Sequence, residues 1–495
     1  MKRVLSIILS VFLLLPTFAL FGCTQSQTSQ VLRICNCDDY INEDLLDKFT
    51  DETGIIVEYS TYGTNENLYN ELVINPNSYD LVVPSEYMIE KLAVEGRIRK
   101  LDFSNDLLKA YTQNVSPYIS ERLSDKTFTI TQGEDKGKTA NISEYMVGYM
   151  WGTMGWVYDT DIVPEDKVSS WGGVFEDNSL SKRITIKDSV RDSYLVGLAM
   201  VYEEQLKEPT NSLQDISRIL NDVSQTAIDA VEKKLISIKP LLYGFEVDSG
   251  KNDIVNNVID AYVAWSGDAA YAIDVANGSV ENDDGTVVEE NKRRNLSYSI
   301  PKEGSNIWFD GLVMPSGSTN YENAYKFLEF ISRPENVIEN MDYIGYTSMV
   351  AGDEIYEGIV LDWFDESEDP ELTNGIEVDL SYFFGEGEYS VVVSPEQYGR
   401  LMAQYPEKSM LERCAIMSYF DNDTLVSINE MWEAVKGETF PLWIILLTVG
   451  IVVLLATIIL LYRFRDKIKI FKFEIKQTDY AKKHNLKIIK REKLN

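Results

Sequence analysis

Phe440–Tyr462 is a run of 23 residues without a charge, and no other stretch restricts the architecture of the chain as much. At the rise of an α-helix, about 1.5 Å per residue, such a run crosses the ~30 Å hydrocarbon core of a bilayer. Trp443 and Tyr462 stand near its ends, where interfacial aromatics belong. Arg463, Arg465, Lys467, Lys469 and Lys472 follow at once. The tail, 463–495, holds twelve Lys or Arg against four Asp or Glu. The spacing predicts a transmembrane helix over 440–462, a basic cytoplasmic tail over 463–495, and a body on the other side of the membrane.

The other end agrees. Residues 1–22 read as a signal peptide, with Lys2 and Arg3 ahead of an apolar run. Leu20-x-Gly22-Cys23 looks like a lipoprotein cleavage box, which makes Cys23 the expected lipidation site. Residues 23–30 are polar and read as a tether. Cys35, Cys37 and Cys414 then remain, an odd number, and Cys35 and Cys37 are too close in sequence to bridge readily.

The formal charge of the whole chain is −33 although its tail is basic, so the segment between leader and span is strongly acidic. Such a surface repels nucleic acid and concentrates cations. The single histidine, His484, lies in the tail, so a histidine triad or histidine metal site in the body is excluded. No phosphate-cradling glycine loop is present. The chain implies no cofactor, no metal, no nucleic-acid partner and no enzyme.

A chain of 495 residues exceeds one compact core, so two lobes are expected. The body opens with a strand at Val31–Ile34, a helix from Asn42 to Gly54 with Leu45, Leu46 and Phe49 as its buried stripe, and a strand at Ile55–Tyr59. A helix around Glu66–Val73 and a strand at Asp80–Val83 follow. Alternation at this spacing predicts a mostly parallel sheet. Ligands of such sheets bind beyond the carboxyl ends of the strands, which puts the loops Asn36–Tyr40 and Ser85–Tyr87 on one rim.

A second stretch carries chemistry. In Trp308-Phe309-Asp310, strand alternation points Trp308 and Asp310 to one side. A ring face beside a carboxylate suits an organic cation, because the ring attracts the charge and covers its methylenes while the acid pairs with an ammonium.

Several segments in order bear a resemblance. They are Asn36-x-x-Asp39-Tyr40, Phe49-x-x-Glu52-Thr53-Gly54, Tyr59-Ser60-Thr61-Tyr62, Asn65-Glu66 and Tyr79-Asp80-Leu81-Val82-Val83-Pro84-Ser85-x-Tyr87. Tyr149-Met150-Trp151-Gly152, Ser170-Trp171, Asp188-Ser189-Val190-Arg191-Asp192, Trp265-Ser266-Gly267-Asp268, Trp308-Phe309-Asp310 and Ile344-Gly345-Tyr346 continue the series. Together they resemble the bacterial spermidine/putrescine-binding proteins, the solute receptors of polyamine ABC importers. The resemblance runs from about Val31 to Tyr346, and more loosely to Gly437.

The resemblance implies an α/β, two-lobed periplasmic-binding-protein fold with a ligand cleft between the lobes, here followed by the transmembrane helix. It divides the body into 31–148 (first lobe), 149–306 (second lobe), 307–349 (return to the first) and 350–437 (C-terminal part of the second). The site it implies is Asp39, Tyr40, Ser85, Tyr87, Asp192, Trp265, Asp268, Trp308, Asp310 and Tyr346, a set of spaced carboxylates with aromatic walls. Cys37 departs from the family, which has Trp there, and Asp38 adds an acid. The implied function is extracytoplasmic capture of spermidine or putrescine and delivery to ABC permease subunits driven by a separate ATPase. The alternatives are a membrane-anchored sensor of a cationic small molecule and a surface hydrolase using paired acids. Residues 351–410 are expected to add surface to the second lobe.

Overall fold

The computed structural model describes residues 31–133, 135–278, 294–370, 372–437, 447, 450–463 and 482–484. The signal peptide, Cys23 and the tether lie outside the described residues, as does most of the basic tail.

β1 (Val31–Cys37), α1 (Asp44–Thr53), β2 (Ile56–Tyr62), α2 (Asn65–Ile74), β3 (Leu81–Val82) and α3 (Glu86–Val94) open the body in the predicted alternation. α1 buries Leu45, Leu46 and Phe49 and stops at Gly54, whose φ of 71° suits a residue without a Cβ. Its start lies slightly later than the sequence suggests: Asn42 Oδ1 accepts the N–H of Asp44 at 3.1 Å. β1 pairs in parallel with both β2 and β3.

β4 (Met146–Asp159) is the spine of the molecule, and all fourteen of its residues are buried. After it come β5 (Ile184–Lys187), α4 (Val190–Val201), β6 (Gly244–Glu246), β7 (Ala261–Trp265), α5 (Ser266–Asn277), β8 (Leu296–Ser299), β9 (Ser305–Val313), β10 (Thr347–Ser348), β11 (Cys414–Ala415) and α6 (Asn422–Lys436). One eleven-stranded sheet runs β2-β1-β3-β9-β4-β7-β5-β6, with β8 and β10 also on β4 and β11 on β9. The first half of β4 pairs antiparallel with β9, and its second half with β7 and β8. β5 pairs in parallel with β6 and β7. Two parallel layers, one from each part of the chain, are thus joined through antiparallel strands. The carboxyl ends of β1 and β3 on one side and of β5 and β7 on the other flank this junction.

Two apolar cores follow. One gathers β1–β3, α1 and α3 with Trp151, Phe309 and Phe327. The other gathers Trp156, Trp171, Ile186 and α4 with Met431 and Trp432 of α6. Residues 351–410 are packed inward more than a surface extension would be. Phe383 stacks on Trp151 at 5.3 Å, Tyr382 meets Tyr118 at 5.4 Å, and Ser116 Oγ donates to the Phe383 carbonyl at 2.7 Å. Each such ring withdraws roughly 150–250 Å² from water, which is why this aromatic-rich stretch turns inward.

Residues up to Val435 form one compact unit and those from Lys436 a second. In the second, residues 450–463 are helical, and their large apolar side chains are exposed. Among the described residues no helix is long and apolar enough to cross a membrane. Residues 440–446, 448 and 449 of the expected span lie outside the described residues.

Candidate functional site

β1 ends at Cys37, and the chain turns through Asp38 and Asp39. Asp39 has a φ of 51°, a left-handed conformation that Asp tolerates better than most residues. The turn brings Tyr40 back under the strand ends. Its hydroxyl donates to Asp310 Oδ2 at 2.8 Å. Its ring meets those of Tyr149 and Tyr346 edge-on, at 5.5 and 5.2 Å, and Tyr346 lies 5.9 Å from Trp308. A continuous aromatic wall therefore runs from Asp310 to Trp308.

Asp310 owes its position to a bulge. The register between β9 and β4 shifts between Phe309 and Gly311, so that Tyr149 and Met150 of β4 lie opposite Asp310 alone. Asp310 forms an isolated bridge with Ser85, which stands on the same rim as Tyr40. The extra residue belongs to β4, so alternation along β9 is not interrupted, and Trp308 and Asp310 reach the same aromatic wall. Asp310 Oδ1 is sealed from solvent and accepts no hydrogen bond of good geometry among the described residues. Burial pushes this carboxyl up to about 6, against the pull of the Ser85 and Tyr40 hydroxyls. Burial and the neighbouring Asp310 charge likewise push the Cys37 thiol up to about 12.

Two motif glycines make room for the wall. A Cβ at Gly152 would come within 2.5 Å of the Trp308 ring, and one at Gly267 within 2.3 Å of the Tyr346 ring. The Trp-Gly and Trp-Ser-Gly-Asp segments therefore need glycine because indole and phenol lie against the backbone.

The opposite bank is built at the ends of β5 and β7. Tyr346 Oη donates to Asp268 Oδ1 at 3.3 Å, which carries the contacts across to α5. Asp268 Oδ2 lies 3.6 Å from Lys187 Nζ, and Oδ1 3.6 Å from Lys251 Nζ. Lys187 Nζ also stands 4.2 Å above the Trp265 ring. Asp192 opens α4, where Ser189 Oγ accepts its N–H at 3.3 Å. Burial raises its carboxyl, partly offset by Ser189, by the charges of Lys187 and Arg191, and by Trp265. The Arg191 guanidinium lies between the rings of Tyr87 and Phe420, at 3.8 and 3.9 Å, and donates to the Ser418 carbonyl at 2.6 Å.

Of the ten residues expected in the site, Tyr40, Ser85, Trp308, Asp310, Tyr346, Asp268, Trp265 and Asp192 join one network of neighbours. Tyr87 is tied to it through Arg191. Asp39 is exposed and takes no part in that network among the described residues. Sequence reasoning gave no role to Lys187 or Arg191. The rim rule for parallel strands reaches Lys187, the last residue of β5. It also passed over Glu86, fully buried beside Asp310, whose Oε2 accepts the Phe309 N–H at 3.1 Å and whose carboxyl burial pushes up to about 8. A groove of about 330 Å³ lined by Val31, Arg33, Asp80 and Asn320 shares no residue with this set. Among the described residues no three His, Cys, Asp or Glu side chains gather as a metal would require.

Residues 44–352 match the family described as bacterial extracellular solute-binding protein. The putrescine-binding periplasmic protein SpuD of Pseudomonas aeruginosa is 30% identical over 332 residues, covering 66% of this chain and 80% of its own. The spermidine/putrescine-binding periplasmic protein of Escherichia coli is 26% identical over 327 residues, covering 66% and 79%. Among solved structures, a putative spermidine/putrescine ABC transporter from Listeria monocytogenes superposes with a TM-score of 0.59 at 25% identity. That superposition covers 82% of this chain and 99% of that one.

Proposed function

The chain belongs to the bacterial extracellular solute-binding proteins, and on that premise we propose that it captures a polyamine between its two lobes and hands it to an ABC permease. The observation that carries this reading is Asp310: a buried carboxylate oxygen without a hydrogen-bond partner, at one end of an aromatic wall. A primary ammonium supplies the missing donor, the charge that offsets the cost of burial, and methylenes for the rings to cover. The names of the relatives, putrescine- and spermidine/putrescine-binding, support the same ligand class.

The lobe division expected from the sequence, with crossings near Tyr149, Ile307 and Met349, belongs to this proposal. Closure about those crossings excludes water from the ion pairs and strengthens them. Import itself is driven by an ATPase on another chain. The body lies outside the cytoplasmic membrane. It is held by a span over 440–462, of which residue 447 and the exposed apolar helix over 450–462 are described, with Cys23 as a second anchor. Anchoring raises the effective concentration of receptor at its permease.

The test is calorimetric titration of the full-length protein in detergent with putrescine, spermidine and spermine, beside Asp310→Ala. One-to-one binding of at least one amine, weakened a hundredfold or more in the variant, is the expected result. Failure of all three to bind above salt-screened background would overturn the proposal.

A further inference from the structure

Lys187 is 1% exposed, and its surroundings are those of a bound amine. Its ammonium has three N–H groups. It donates to the Val247 carbonyl at 2.9 Å and lies 3.4 Å from Glu246 Oε1 and 3.6 Å from Asp268 Oδ2. The Trp265 ring closes one side at 4.2 Å. Two carboxylates, a carbonyl and an indole face are what a site for a free alkylammonium needs. Here the chain fills that position with its own side chain.

The consequence for an incoming ligand is a matter of counting. Lys187 and Lys251 face the two oxygens of Asp268, and Lys187 also faces Glu246. Arg191 is turned toward Tyr87, Phe420 and the Ser418 carbonyl. The site carboxylates without an ion pair among the described residues are then Asp310 and Asp192, one on each bank, and Glu86, which lies beside Asp310 and which burial pushes up to about 8, so that it is mostly protonated and uncharged at neutral pH. Two charged acids match two ammonium groups. A third ammonium would have to approach the fixed charge of Lys187 with no charged acid left to receive it, and like charges in a desolvated site repel strongly.

We propose that Lys187 acts as a built-in ammonium that sets ligand specificity, making the site selective for a diamine over a triamine. The inference rests on the polyamine reading above and deepens it. Lys187 is a specificity-determining residue that works through Asp268, Glu246 and Trp265, and its removal frees a third cation position.

The test uses the full-length protein in detergent, with putrescine and spermidine as probes and the ratio of their dissociation constants as readout. The native protein is expected to bind putrescine at least tenfold more tightly than spermidine. Lys187→Met is expected to shift that ratio at least tenfold toward spermidine, whereas Lys187→Arg, which keeps the charge, holds the native preference. A merely structural lysine would lower the melting temperature of Lys187→Met and weaken both amines equally. That outcome, or an unchanged ratio, overturns the inference. Should the single variant fail to fold, Lys187→Met with Glu246→Gln removes the stranded acid, and the same ratio is read there. A native preference for spermidine overturns the inference without any variant. Loss of binding to every amine in the native protein overturns the polyamine reading as well. Putrescine binding with an unmoved ratio overturns this inference alone.

Discussion

In the proposed role, Asp310 trades stability for binding. Its carboxyl stands at about 6 in the native state against 3.8 for the free side chain. A raised acid stabilises the fold fully below the unfolded value and loses that contribution as pH climbs through about 6. The native protein at neutral pH therefore carries an uncomfortable charge, and a bound ammonium relieves it. Two outcomes are expected. Amine affinity, measured by calorimetry from pH 5 to 8, holds above pH 6 and falls up to tenfold per pH unit below it. Asp310→Asn abolishes binding yet raises the melting temperature of the ligand-free protein, on the order of 2–4 °C per kcal/mol of desolvation relieved. Much of this residue was legible beforehand, because an acid two positions from a tryptophan in an apolar strand is a distinctive pattern. Its bulge was not, since an extra residue in a ladder is a property of two strands paired together. Nor was Lys187, whose role depends on carboxylates 59 and 81 positions downstream.

At the level of elements, the opening βαβαβ unit follows the sequence in order and type, while β1 and β2 each run three residues past the ends expected, to Cys37 and Tyr62. Its helices carry their own punctuation, in the Thr64 hydroxyl that caps α2 and the glycine that ends α1. The C-terminal third was harder to read. Tyr382, Phe383, Phe384 and Tyr405 form a cluster whose partners, Tyr118 and Trp151, lie more than 200 residues away, and local periodicity holds no trace of such contacts. The junction of β7 and α5 offers a sharp test. Gly267→Ala forces the Tyr346 ring to move, since a Cβ there meets it at 2.3 Å. The variant is expected to fold, to lose about 1–3 kcal/mol in chemical denaturation from overpacking, and to bind putrescine at least tenfold more weakly. Retained affinity would show that Tyr346 is not a wall of the site.

For the molecule as a whole, the acidic body and the apolar terminal segment predict separable roles. A chain ending at Gly437 is expected to bind putrescine with unchanged affinity and to leave the membrane fraction on cell fractionation when Cys23→Ala is also present. With Cys23 intact, retention in the membrane fraction is expected, because a lipoprotein cysteine carries a diacylglyceryl group and two acyl chains suffice for stable anchoring. Putrescine is also expected to reduce the radius of gyration of that body in solution scattering, as two lobes close on a shared ligand.

β4 gives that closure a mechanical character. It runs unbroken for fourteen buried residues, about 45 Å at the usual rise of a strand, and is hydrogen-bonded to β9 in its first half and to β7 and β8 in its second. No flexible loop separates the halves along this path, so relative motion must be taken up as twist in a paired ribbon. Such a ribbon behaves as a torsion bar. On the proposed closure, work done in shutting it would be stored elastically and returned when the cargo leaves. Pulled from its two ends, it would load its ladder in shear, and the lobes would unravel before they parted.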